Sequence, residues 1–446
     1  VNKQVVVLSS LVIFASSHAR SIYISSSINK FQEQTTGIIY ETISEGFRYG
    51  NSGDTLWVMP GTYGRTMLFK KNDINNKKMV IRSYFLPVIE SVDGNNRLKN
   101  LDSVASCKGF DVRSDFVVLQ GFNITDIGNG VGAINLHSVN NIEIRDNFIH
   151  ELGCLKNNSG GIRARGENSD IQIASNTFWR VEGVSISICG KKWIVENNEI
   201  SHGTNLTPQG YSVVNDADAI RFFGEGHLIK GNYIHDYIIT ETDGSPHMDA
   251  FQTYSVNPGE YARNIRIEGN YCRNIDGQFF MGTDKAGENN VHTILVANNI
   301  MDSVNGYAIY IIDVDTFTLV HNIITRARLG SMAIRNGSNH LKIFNNIFYK
   351  NLHGPQFFEE STLIGTSMDY NLHYPSYTYG QRPEFDKHGL FGIDPLFTSN
   401  ELNRIELNTA SPAINRGLFL EYIKNDFSGT RRPLGKSSDI GPYELN

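Results

Sequence analysis

The stretch "IEIRDNFI" (142–149) alternates apolar and polar residues, meets an Asn, and resumes two places later with an apolar residue. Seven further segments repeat it: "IQIASNTF" (171–178), "WIVENNEI" (193–200), "LIKGNYI" (228–234), "IRIEGNYC" (265–272), "ILVANNIM" (294–301), "TLVHNII" (318–324) and "LKIFNNIF" (341–348). An earlier copy, "VVLQGFNI" (117–124), carries Phe122 where the others carry Asn. The aligned residues are Asn147, Asn176, Asn198, Asn232, Asn270, Asn299, Asn322 and Asn346, separated by 29, 22, 34, 38, 29, 23 and 24 residues. A basic unit of 22–24 residues with insertions accounts for the series. Such periods are the mark of a solenoid, whose units share one core only when stacked.

Between the Asn positions lies a second period-2 pattern, as in "GAINLHS" (132–138), "AIRFFGE" (219–225) and "AFQTYS" (250–255). Each unit therefore holds at least two short strands separated by turns. Alignment of the second strands predicts an inward column of Ile134, Ile162, Val184, Ile220, Phe251, Phe279, Ile309 and Ile334. One place on, the outward column reads Asn135, Arg163, Ser185, Arg221, Gln252, Phe280, Tyr310 and Arg335. The repeated Asn is assigned to the scaffold, because an amide supplies both a donor and an acceptor to a buried turn.

Forty-one Gly, 11% aromatics and only 12 Pro in 446 residues fit an ordered, β-rich chain. A formal charge of −6 argues against a nucleic-acid surface, while leaving room for a local basic cleft. The first residues, "VNKQVVVLSSLVIFASSHARS", read as a secretory leader over 1–19, with Lys3, an apolar Val5–Ala15 core and a small-x-small Ser17-His18-Ala19 site. No later segment is long and apolar enough to span a membrane, so a secreted, periplasmic or surface-located monomer is expected. The four Cys are too few for a disulfide scaffold, and their spacing suits no zinc site.

The repeat resembles the right-handed parallel β-helix family of secreted carbohydrate-active proteins over roughly residues 50–350. The ends resemble it too. "GDTLWVMPGTY" (53–63) matches an entry strand and turn, and "GIIYETISEGFRYG" (37–50) suits a capping helix with apolar residues at 38, 39, 43 and 47. "SPAINRG" (411–417), "DFSGTRRP" (426–433) and "DIGPYE" (439–444) match a C-terminal closing element. The implied organisation is an all-β parallel β-helix over 20–390, including its cap, and a closing element over 391–446. The resemblance implies action on, or binding of, a polysaccharide.

The two longest Asn intervals are adjacent and insert "TNLTPQGYSVVND" (204–216) and "YIITETDGSPHM" (237–248) on one edge. Beside them, Asp218 and Asp249 fall on neighbouring coils, which parallel pairing puts about 4.8 Å apart. Arg221, His247 and Gln252 complete a polar group. For β-elimination on an acidic polysaccharide, Arg221 with Arg163 would neutralise a uronate carboxylate, and His247 would take the adjacent proton, with Lys285 in reserve. Asp218 and Asp249 are the candidate ligands of a Ca²⁺ ion serving the same end, or the acid and base of a glycoside hydrolase. C5 epimerisation would use the same groups as the lyase. Tyr254, Phe280 and Tyr310 form an aromatic strip for sugar rings, which a non-catalytic carbohydrate-binding surface protein would also need. The Asn-Thr-Asp, Asp-Asp and Gly-His-Gly signatures of the β-helical pectin hydrolases are missing.

Overall fold

In a computed structural model the described residues are 19–26, 38–69, 76–92, 95–127, 132–152, 160–206, 216–285, 288–358, 363–376, 385–399 and 405–445. The leader expected at 1–19 lies outside them except for Ala19, as do Cys154 and most of the first insertion. Each coil contributes three strands, where the pattern called for at least two. In one coil they are Ile134–His137, Glu143–Arg145 and Phe148–His150. The missed strand is the short segment after the Asn. Each strand pairs in parallel with its counterpart in the next coil, as in Ile134↔Ile162, Ile144↔Ile173 and Ile149↔Phe178. Stacking builds three long sheets, here called sheets 1, 2 and 3 in the order the chain visits them, with 11, 15 and 13 strands among the described residues. The fold is a parallel β-helix.

The period-2 alternation fills the interior. Sheet 2 sends in Leu119, Ile144, Ile173, Val195, Ile229, Ile267, Val296, Leu319 and Ile343, one per coil and all buried. Sheet 3 sends in Ile149, Phe178, Ile200, Ile234, Cys272, Met301, Ile324 and Phe348. Cys272 thus serves as a small apolar residue. Cys107, Cys189 and Cys272 are all free thiols.

The turn between sheets 2 and 3 explains the repeated Asn. Asn147 Nδ2 donates to Asn176 Oδ1 at 2.9 Å, and the same bond, at 2.9–3.0 Å, links 176 to 198, 198 to 232, 232 to 270, 270 to 299, 299 to 322 and 322 to 346. Each Oδ1 also takes the backbone N–H of the Asn before it, and each Nδ2 also reaches a strand carbonyl. Two members were not among the eight. Asn346 continues to Asn371, and Asn371 ends the series on the buried carboxylate of Asp386. At the other end, the Phe122 N–H donates to Asn147 Oδ1. Phe122 sits where no earlier coil offers a ladder partner, so an apolar residue serves.

The residue before each ladder Asn holds a left-handed conformation, with φ between +53° and +63° from Asp146 to Tyr370. That accounts for Gly231 and Gly269 and for the frequent Asp and Asn at this place. Among the described residues the only α-helix, Ile43–Tyr49, is shorter than expected, because Ile38–Tyr40 is a strand paired to Ser21–Ile24. Thr42 caps the helix by accepting the Glu45 N–H, and Ile43 and Phe47 are buried. No helix of the described residues is long and apolar enough to cross a membrane.

Residues 405–445 lie along the outside of the later coils. Leu407, Ala413, Ile440 and Tyr443 cover the outward Tyr271, Ile300, Ile323, Ile347 and Leu372 of sheet 3. The left-handed turn residues Asn298, His321 and Asn345 bind the carbonyls of Asn425, Gly441 and Leu418. Within the segment, Arg432 pairs with Glu444 at 2.6 Å, and Asp439 accepts the Asn415 N–H.

Candidate functional site

Sheet 1 carries the site, and its register corrects the sequence alignment at three places. The inward column is Ile134, Ile162, Ile186, Ile220, Phe251, Phe280, Ile309 and Met332. The outward column is Asn135, Arg163, Ser187, Arg221, Gln252, Met281, Tyr310 and Ala333. Phe280 therefore points into the core, fully buried beside Phe317 and Phe222, and does not belong to an aromatic binding strip. A slip of one residue moves a strand's whole side-chain set to the other face.

Asp218 and Asp249 are neighbours as expected, but both are buried and every oxygen is engaged. Asp218 Oδ1 accepts the Asp249 N–H at 2.9 Å, and Asp249 Oδ1 accepts the Gln278 N–H at 2.8 Å. The remaining oxygens meet Arg221 Nη2 at 2.5 Å and Gln252 Nε2 at 3.2 Å. The pair thus caps successive coils, as the Asn ladder does one turn away. Burial pushes the Asp218 carboxyl up to about 6 against the opposing pull of Arg221. Asp249 goes well above the carboxylate range, through burial and then the charge of Asp218, with no cation bonded to it. Carboxyls so placed present no open oxygens to Ca²⁺, and among the described residues no three His, Cys, Asp or Glu converge as a metal site. The same burial keeps them from serving as the acid and base of a hydrolase.

Arg221 is buried too. Its Nη2 also pairs with Asp216, a residue the motif search passed over. Burial alone would lower the guanidinium's affinity for its proton, but Asp218 and Asp216 outweigh it and hold the charge. Asp216 precedes Asp218 by two positions, so the D-x-D spacing on an extended run was a usable signal. His247, with its side chain 67% exposed, lies 3.7 Å from the other Asp216 oxygen. Asp216 therefore bridges His247 to Arg221.

A cleft of about 260 Å³ opens beside this group, lined by Arg163, Arg165, Ser187, Arg221, Phe223 and Tyr254 among others. Arg221 is neutralised from below. Arg163 and Arg165 have no acidic partner among the described residues, and Arg163 loses proton affinity first to burial, then to the charges of Arg165 and Arg221. Tyr254 stands against Phe223 at 4.9 Å and under the Arg221 guanidinium, 5.7 Å from its ring centre. Burial raises its phenol, with Arg221 opposing. His247 and Lys285 are outside the cleft lining. Lys285 follows the strand Phe280–Asp284 and is exposed. Tyr310 is half-buried on the same face, three coils beyond Arg221. The second insertion is tied down by an Asp243 N–H to Asn205 carbonyl bond at 2.8 Å and by Glu241 against His202 at 3.0 Å.

No family model and no curated sequence matches the chain. Among solved structures, the pectate lyase Pel9A superposes with a TM-score of 0.52 at 13% identity, covering 97% of this chain and 98% of that one. The complex of XylC with xylose gives 0.56 at 11% identity, covering 96% and 98%. The A-module of the Azotobacter vinelandii mannuronan C-5 epimerase AlgE6 gives 0.47 at 10% identity, covering 79% and 93%. The likeness is one of fold. By name the first two are a pectate lyase and a protein solved with xylose, so the parallel β-helix found here is one that carbohydrate-active proteins use.

Proposed function

We propose that the protein is an exported lyase that cleaves an acidic, uronate-containing polysaccharide by β-elimination. One observation carries the reading: a chain of net charge −6 gathers Arg163, Arg165 and Arg221 around one cleft, the first two without acidic partners among the described residues. A planar carboxylate is the ligand that such guanidinium groups match. In this reading Arg163 and Arg165 take over the neutralising role first given to Arg221, whose charge Asp216 and Asp218 already balance. Arg221 then acts as a strut. Neutralising the uronate acidifies its C5–H. A base removes that proton, the C4–O bond breaks, the departing sugar oxygen takes a proton, and a C4=C5 double bond remains.

His247 is the base in this scheme, because an imidazole nitrogen can accept a proton and Asp216 lies 3.7 Å away to orient it. A second reading makes Tyr254 the base, favoured by its place in the cleft wall, where His247 is missing. No step is routed through Ca²⁺. Ultraviolet absorbance of the new conjugated double bond, on a panel of uronate polymers, tests the reaction. Arg163→Ala is expected to cut kcat/KM by about 100-fold or more. Loss of activity in His247→Ala with survival in Tyr254→Phe assigns the base to His247, and the reverse assigns it to Tyr254. New reducing ends without the double bond would reject elimination, and glycan binding with neither product would leave a non-catalytic surface protein.

A further inference from the structure

Sheet 1 continues past the cleft with two outward columns. One runs Arg221, Gln252, Met281, Tyr310, and its neighbour runs Tyr254, Thr283, Ile312, Arg335. At the far end the Arg335 guanidinium lies between two rings, 5.6 Å from the centre of Tyr310 and 4.8 Å from that of Phe358. Tyr307 backs the group, with its hydroxyl on Gln356 Oε1 at 2.8 Å and its ring 6.0 Å from Phe358. Arg335 has no acidic partner among the described residues, and its Nε has no hydrogen-bond partner. Along the floor between the two ends, Gln252 Oε1 and Thr283 Oγ1 are also unpartnered. All three atoms are buried beneath the face, so a ligand laid along it would be held by the terminal guanidinium nitrogens of Arg335 and not by them.

We propose that Tyr310, Arg335 and Phe358 form a distal subsite that holds a second carboxylated sugar of the same chain whose reacting unit sits at Arg163 and Arg165. The assignment rests on the reading of the cleft as an acidic-polysaccharide site. The guanidinium has no acidic partner among the described residues, is held in direction by the neighbouring rings, and faces the same side as the cleft. The rings offer apolar faces to the C–H surface of a pyranose. Six coil steps separate the coil of Arg163 from that of Arg335, roughly 29 Å at the usual parallel-strand spacing. A ligand engaging both ends is therefore an oligosaccharide of several units, and the preferred substrate is a long anionic chain.

Steady-state kinetics on graded oligouronates of one sugar, short and long, tests this in the full-length protein. Arg335→Gln is expected to raise KM for long chains about tenfold, as for one lost charge-assisted hydrogen bond, and to leave kcat and the short oligomers unchanged. Phe358→Leu, which keeps an apolar residue, should show the same length-dependent effect more weakly and guards against misfolding of the first variant. Equal effects on short and long chains, or none on long chains, would overturn the subsite while leaving the cleft reading intact. If the wild type neither binds nor cleaves uronate chains of any length, the cleft reading fails and the subsite with it.

Discussion

Replacing Asn270 by Ala removes a middle rung of the Asn ladder, and the structure sets what is lost. Asn270 Oδ1 accepts both the backbone N–H and the Nδ2 of Asn232, each at 2.9 Å, and its own Nδ2 donates to the Ile229 carbonyl and to Asn299 Oδ1, each at 3.0 Å. All of these groups belong to buried turns or strands, with Asn232 and Asn270 at 1% and 0% exposure. The backbone N–H of Asn270 still serves Asn299, so the clear orphans are two donors on Asn232. At about 1–3 kcal/mol for each buried group left unmet, the loss is about 4 kcal/mol. Solenoid coils open locally, so the change should appear as lost amide protection around Asn232 and Asn270 and as an earlier, broader urea transition. Hydrogen exchange with denaturant titration measures both. A cost below about 1 kcal/mol would refute the view that the ladder holds the turns and would leave the interior columns as the sole source of register.

Three other outcomes are expected. The raised carboxyl of Asp218 contributes stability that is present below about pH 4 and lost as pH rises through about 6, on the order of 3 kcal/mol, and that of Asp249, raised well above the carboxylate range, is lost in the same sense as pH rises. Asp249→Asn, with Gln252 turned so that Oε1 meets the new amide, should gain melting temperature over wild type as pH rises above the ordinary carboxylate range, and a pH-independent difference would show that Asp249 ionises without penalty. Phe280→Ala should cost about 3–5 kcal/mol in chemical denaturation, while Met281→Ala, on the outer face, costs less than about 1 kcal/mol. Intact stability with lost glycan binding in Phe280→Ala would reinstate it as a surface residue. Arg221→Met should destabilise the fold as well as the activity, because it leaves Asp218 buried and unpaired, and an active-site effect at unchanged stability would contradict its role as a strut.

Sheet 2 and the turn that follows it were readable because that turn has one length and one stereochemistry, a left-handed residue followed by a buried Asn. Every copy announces its own register. Sheet 1 is flanked by turns of variable length, so its strands had to be aligned on apolar residues alone. That fails where both candidates are apolar and buried, as with Phe279 and Phe280. The approach of Asp218 to Asp249 was legible from coil spacing, but its direction was not, since no residue pattern says whether a carboxylate caps an amide or faces solvent. Arg163, an accessory on the sequence pattern, proves more open than Arg221, because Asp216 stands at the end of an insertion where no repeat marks its place.

The ladder also has a direction: every amide gives to the following coil and receives from the preceding one, from the Phe122 N–H to the Asp386 carboxylate. A string of identical units with distinct first and last members can be lengthened or shortened in the middle without rewriting its ends. Removal of residues 176–197, the span from one ladder Asn to the next in a coil ahead of those that residues 405–445 cover, would join Ser175 to Asn198 and keep donor facing acceptor throughout. Removal of the Asp386 terminus would instead leave the buried Asn371 backbone N–H without its acceptor. Growth and loss of coils in such a chain are therefore confined to its interior, and the two ends travel together as fixed punctuation.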